Sequence, residues 1–108
     1  MGIFEDRQRA FERMFVHDEE TRFRALARRN KFLGQWAAEQ LGLSGQNASD
    51  YVEEIRNITV AAQGDEQILR KLRQDFEGAG VAVSESQVSE KMSELLVKAV
   101  TQIRSGAA

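Results

Sequence analysis

The run from Thr21 to Gly42, TRFRALARRNKFLGQWAAEQLG, constrains the fold more than any other part of the chain. Leu26, Asn30, Leu33, Ala37 and Leu41 recur in it at steps of four, three, four and four residues. That spacing stacks them on one side of a helix, which then has to find a core. Phe23, Phe32 and Trp36 widen the apolar stripe, while Arg22, Arg24, Arg28, Arg29 and Lys31 crowd the N-terminal half with positive charge. Gly42 supplies a residue that tolerates a left-handed cap, and Ser44 just beyond it is suited to start another helix.

Three further runs carry the same period. Ala48, Tyr51, Val52, Ile55, Ile58 and Thr59 predict a second helix over 46–62, chosen over a strand although Ile58-Thr59-Val60 is β-branched, because so short a strand would have no partner. Gly64 is expected to stop that helix and Asp65 to cap a third over 66–77, with Ile68, Leu69, Leu72 and Phe76 inward and Gly78 and Gly80 ending it. Val81-Ala82-Val83 reads as an extended link. Ser84 followed by Gln87 fits a capping box for a fourth helix over 85–104, burying Val88, Met92, Leu95, Leu96, Ala99 and Ile103. Residues 105–108 should fray. With no proline and no two β-runs to pair, the class is all-α: a four-helix bundle over 21–104 with antiparallel neighbours.

Residues 1–20 differ from the rest. Phe4, Phe11 and Phe15 fall on one side of a helical projection with Met14 beside them, among Glu5, Asp6, Arg9, Glu12 and Arg13. So narrow a stripe is marginal alone and is read as a flexible amphipathic arm, with His17-Asp18-Glu19-Glu20 as a hinge. The alternative is that it extends the next helix and packs on the same core.

A chain of 108 residues supports one domain. Its net charge of -2 conceals a split: residues 1–31 hold eight Arg/Lys against six Asp/Glu, and the rest seven against eleven. The basic front suits an acidic partner surface, or is a solvated mixed-charge face. No apolar run approaches the roughly 18 residues that span a bilayer, and no signal peptide is evident, so a cytoplasmic protein without membrane insertion is expected. Without cysteine and with one histidine, no metal site or cofactor is implied. His17 has no nearby Ser or Cys to activate, and Glu53/Glu54 and Asp65/Glu66 read as helix-surface carboxylates, so catalysis is not expected. Phosphate-loop motifs are absent, although Arg28, Arg29 and Lys31 could grip the phosphate of ATP or ADP. A pI of about 5.5 argues against nucleic acid, and Trp36 and Phe32 read as core. With no long exposed heptad, the chain is expected to be a monomer that acts by laying aromatic anchors into a partner's groove.

The string HDEETRFRALARRNKFLGQWAAEQLGLSG, preceded by Phe4-Glu5-Asp6-Arg7-x-x-Ala10-Phe11-Glu12-x-x-Phe15, closely resembles the zeta-subunit inhibitors of bacterial F-type ATP synthase. The likeness resumes at Gly64-Asp65-Glu66, at Ala79 to Ser84 and at Lys91-Met92-x-Glu94-Leu95-Leu96. It implies a four-helix bundle whose arm becomes helical in a catalytic interface of the synthase head, beside the rotor, and blocks rotation in the hydrolytic direction. Residues 2–19 would be the inhibitory segment, with Phe4, Phe11 and Phe15 as anchors and Arg7, Arg9 and Arg13 set to pair with carboxylates. The alternative is a nucleotide-binding regulatory bundle with weak or no inhibition. Two positions depart from the family pattern: Met14, where members often carry Lys, and Gln63, where they carry Pro.

Overall fold

The computed structural model describes residues 19–58 and 64–106. They form four helices: α1 (Glu19–Gln40), α2 (Gly45–Arg56), α3 (Gly64–Ala79) and α4 (Glu85–Arg104). Helix accounts for 84% of the described residues and none is in a strand, the all-α four-helix fold that the periodicity predicts. The arm residues Phe4, Arg7, Arg9, Phe11, Arg13 and Phe15, the tail of the expected second helix at 59–62 with Gln63 after it, and residues 107–108 lie outside the described residues.

Helix α1 is the hub, packing on α2 along one side and α4 along another, with α3 against α4. Its apolar face forms as spaced: Leu33 and Ala37 are completely buried with Asn30, while Leu26 and Leu41 are partly covered. Around Leu33 gather Tyr51, Ile55, Ile68, Leu72, Phe76, Val88 and Met92, and Trp36 meets Phe76 edge-on with centroids 5.8 Å apart. A smaller cluster of Ala25, Leu96 and Val100 ties the first turns of α1 to the end of α4.

The α1–α2 contact depends on a glycine that the periodicity passes over. Gly34 is buried mid-helix, where glycine costs about 1 kcal/mol relative to alanine. A Cβ there would lie 3.0 Å from the Val52 Cα and 3.3 Å from the Ile55 Cβ. The two backbones therefore approach closely, and any side chain at 34 would have to push α2 back by a few tenths of an ångström.

The turns follow the capping residues. Gly42, at φ +74°, places its N–H on the Glu39 carbonyl at 3.1 Å and the Leu43 N–H on that of Ala38 at 2.9 Å, the paired bonds of a Schellman cap. Gly80 repeats the geometry at the end of α3. The capping box forms in full: the Gln87 N–H donates to the Ser84 Oγ at 3.1 Å, and the Ser84 N–H to the Gln87 Oε1 at 2.8 Å.

Three expectations are corrected. Helix α2 stops at Arg56, not 62, because Asn57 and the β-branched residues after it are poor helix formers, and Asn57 instead caps the helix in a turn. Gly64 opens α3 instead of closing the previous helix, and Asp65 stands inside the first turn, where its carboxylate accepts from Arg29. Phe23 does not join the core; it is 52% exposed. It lies on the α2 side of α1, but α2 is about 18 Å long against about 33 Å for α1 and ends before reaching it.

Candidate functional site

The N-terminal half of α1 brings together most of the candidate residues that the structure describes. Steps of about 100° send the ARRNK run to two opposed edges. Arg29 turns inward and is 2% exposed. Its Nη2 donates to the Asp65 Oδ1 at 2.7 Å, and its Nε and Nη2 both donate to the Asn30 Oδ1, at 3.0 and 2.8 Å. A charge so deep is tolerable only with such partners. Arg29 thus fastens the start of α3 to α1.

The opposite edge faces water. Arg24, Arg28 and Lys31 stand at i, i+4 and i+7, one stripe along the helix. Arg28 donates through Nη1 to the Gln102 Oε1 of α4 at 3.2 Å, and the Lys98 ammonium of α4 sits 4.3 Å from the centre of the Phe32 ring. Farther along the same seam Lys91 lies over Trp36 and pairs with Glu94 at 2.7 Å. As α1 advances from 28 to 36, its α4 partners retreat from 102 to 91, so the two helices are antiparallel. Of the three cations expected to act together, Arg28 and Lys31 share the outer edge and Arg29 lies on the inner one, about 200° from Lys31.

Lys98 was not legible as a companion of that stripe. It is separated from Phe32 by most of the chain, and the pairing of α1 with α4 has no local signal.

Two other polar groups stand out on the described surface. The Tyr51 hydroxyl donates to the Asp75 Oδ2 at 2.6 Å, and Lys71 bridges Glu54 at 2.9 Å and Asp75 at 3.1 Å beneath the Tyr51 ring. Burial, then the hydrogen bond to Asp75 and the charges of Asp75 and Glu54, push the Tyr51 phenol above its ordinary range. Burial pulls the Lys71 ammonium down, but hydrogen bonds to Glu54 and Asp75 outweigh it and the net shift is upward. The cluster locks α2 to α3. A shallow depression elsewhere is lined by Glu66, Leu69, Arg70, Arg73 and Glu85. Its two carboxylates and two guanidiniums neutralise each other in charge. Among the described residues no group of three or more His, Cys, Asp or Glu is placed to hold a metal, and no helix is long and apolar enough to cross a membrane.

The family model described as ATPase inhibitor subunit zeta matches residues 1–102. No curated protein matches the chain.

Proposed function

The chain belongs to the ATPase inhibitor subunit zeta family, and on that premise we propose that it restrains ATP hydrolysis by the catalytic head of a bacterial F-type ATP synthase, acting through residues 2–19. In this reading the arm enters a catalytic interface beside the rotor as a helix. Phe4, Phe11 and Phe15 fill apolar pockets there, and Arg7, Arg9 and Arg13 meet partner carboxylates. The bundle does no chemistry; it docks in the cytoplasm on the outside of the head and holds the arm in register.

The observation that carries the reading is the extent of the family match, which begins at residue 1 and so takes in the arm together with the bundle. The described structure supports it in one respect. The described part of α1 begins at Glu19, Glu19 and Glu20 are exposed, and the helix packs on both α2 and α4. An arm joined there is attached to a helix that two others hold. Ordering a segment on binding costs free energy, and a rigid base confines that cost to the segment itself.

Replacing Phe4, Phe11 and Phe15 together by alanine tests the anchors. Anchors of this kind each carry about 2 kcal/mol or more of binding. The triple variant should lose inhibition of ATP hydrolysis at concentrations where the parent saturates, with helical content and melting temperature unchanged. Inhibition equal to that of the parent would remove the arm from the mechanism.

A further inference from the structure

We propose that in the free protein the arm folds back on the chain's own bundle, where its phenylalanines complete an apolar face that α1 and α4 form by themselves around Phe23 and Val97. The location rests on the described helices. Its consequence, that a docked arm is withheld from the partner, rests on the functional reading above.

The face is a core with two sides. The main cluster around Leu33 draws residues from all four helices, whereas the smaller one, Ala25, Leu96 and Val100 with Leu26 and Ile103 against it, draws on α1 and α4 alone. Helix lengths give the reason. Val52 of α2 lies against Gly34 and that helix ends four residues later at Arg56, while Asp65, in the first turn of α3, reaches Arg29. Both helices therefore give out near the middle of α1, and about 15 Å of it, from Glu19 to Arg28, runs beyond them beside the end of α4. Phe23 and Val97 border this stretch, and they are the two large apolar side chains exposed among the described residues, at 52% and 58%. Phe23 stands one turn from Leu26, and Val97 one turn from Val100, with Ile103 one turn farther on.

Length and attachment select the occupant. Residues 1–18 lead directly into Glu19, four residues before Phe23, and carry an apolar stripe of Phe4, Phe11 and Phe15 with Met14 beside them. As a helix, the span from Phe4 to Phe15 is about 16 Å, which matches the uncovered stretch. A turn at His17-Asp18, the hinge read from the sequence, lays the stripe antiparallel along it. So short a tether makes docking intramolecular, at an effective concentration in the millimolar range. A second copy has no such advantage, and the face is too small for one. A whole Phe side chain covers about 150–250 Å², and this face exposes about half of one and half of a valine, against about 800 Å² per partner in a stable interface. The same small area keeps the contact weak. Ordering the arm costs conformational entropy, so docked and open forms are populated comparably and the melting temperature barely registers the difference. While docked, the arm hides its anchors, and apparent affinity for the partner falls with the fraction of open arm.

The chain has no cysteine, so Gly2→Cys can carry a single nitroxide label, which broadens the amide NMR signals of whatever lies near it in the free, full-length protein. The proposal expects broadening at Phe23, Val97, Val100 and Ile103, none at Tyr51 and Lys71 between α2 and α3, and loss of the effect when Phe4, Phe11 and Phe15 are replaced together by alanine. Phe23→Ser/Val97→Ser, at exposed positions that do not threaten the fold, should release the arm in the same way. In that variant the concentration giving half-inhibition of the host's purified synthase head should fall about twofold. Broadening that is absent, spread evenly over the bundle or unchanged in the alanine variant overturns the proposal, and so does a half-inhibition concentration that Phe23→Ser/Val97→Ser leaves where it was. Equal broadening of an isotope-labelled, spin-free copy mixed with a spin-labelled one would assign the face to a second copy and overturn it as well. Selective broadening in a protein that does not inhibit at all upholds the docked arm and strikes the functional reading instead.

Discussion

Arg29 and Lys31 are two residues apart in sequence and belong to different regions of the molecule. On the inner edge of α1, Arg29 is sealed from water and held by Asp65 and Asn30, and its guanidinium links two helices. On the outer edge, Arg24 and Lys31 are exposed, and Arg28 between them reaches across to the Gln102 Oε1 of α4. The inner edge spends its charge on the architecture and tolerates little change. The outer edge carries its charge at the surface, where single changes usually shift stability by less than about 0.5 kcal/mol.

The difference can be broken from the inner side first. Asp65→Ala leaves Arg29 buried without its carboxylate and should cost about 3 kcal/mol in urea unfolding. Arg29→Met should cost clearly less, because Asp65, at 29% side-chain exposure, can recover water whereas Arg29 cannot. Equal losses from the two would show that the pair is not desolvated as asymmetrically as the structure has it. Next in size is Gly34→Val, which forces side-chain atoms against the Val52 backbone and should cost about 2 kcal/mol. Gly34→Ala should cost less, since its clash is offset by about 1 kcal/mol of helix propensity.

The smallest effect at neutral pH belongs to the Tyr51, Asp75, Lys71 and Glu54 cluster. Both Tyr51 and Lys71 hold their protons more tightly folded than unfolded. Their contribution is therefore complete below the ordinary values of 10.0 and 10.5 and is lost as pH rises beyond them. Melting temperature should stay flat through neutrality on their account and fall above about pH 10, and Tyr51→Phe should make that alkaline fall shallower. A fall of the same steepness in Tyr51→Phe would assign it to other groups.

Much of this architecture is legible in the sequence because it is set locally. The Schellman glycine at 42, the Ser84–Gln87 box and the bounds of α4 follow from residues within a turn of one another. What escapes reading depends on partners distant in sequence. The burial of Gly34 and Ala38 requires knowing that α2 folds back onto that side of α1, and the inward turn of Arg29 requires Asp65, thirty-six residues on. The early end of α2 had a local signal in Ile58-Thr59-Val60, which the helical period outweighed. Of the candidate site, the basic residues of α1 were visible as a cluster, but their division into inner and outer edges and the addition of Lys98 from α4 appear only once the helices are packed.

The arm is the part of the functional reading on which everything else depends, and its test is direct. ATP hydrolysis by the host's purified synthase head, freed of its native inhibitor, should be measured with the intact protein and with a form lacking residues 2–19, the latter first shown by circular dichroism to keep its helices. The account predicts that the intact protein inhibits and the truncated form does not. Full inhibition by the truncated form, or none by the intact protein, would contradict it.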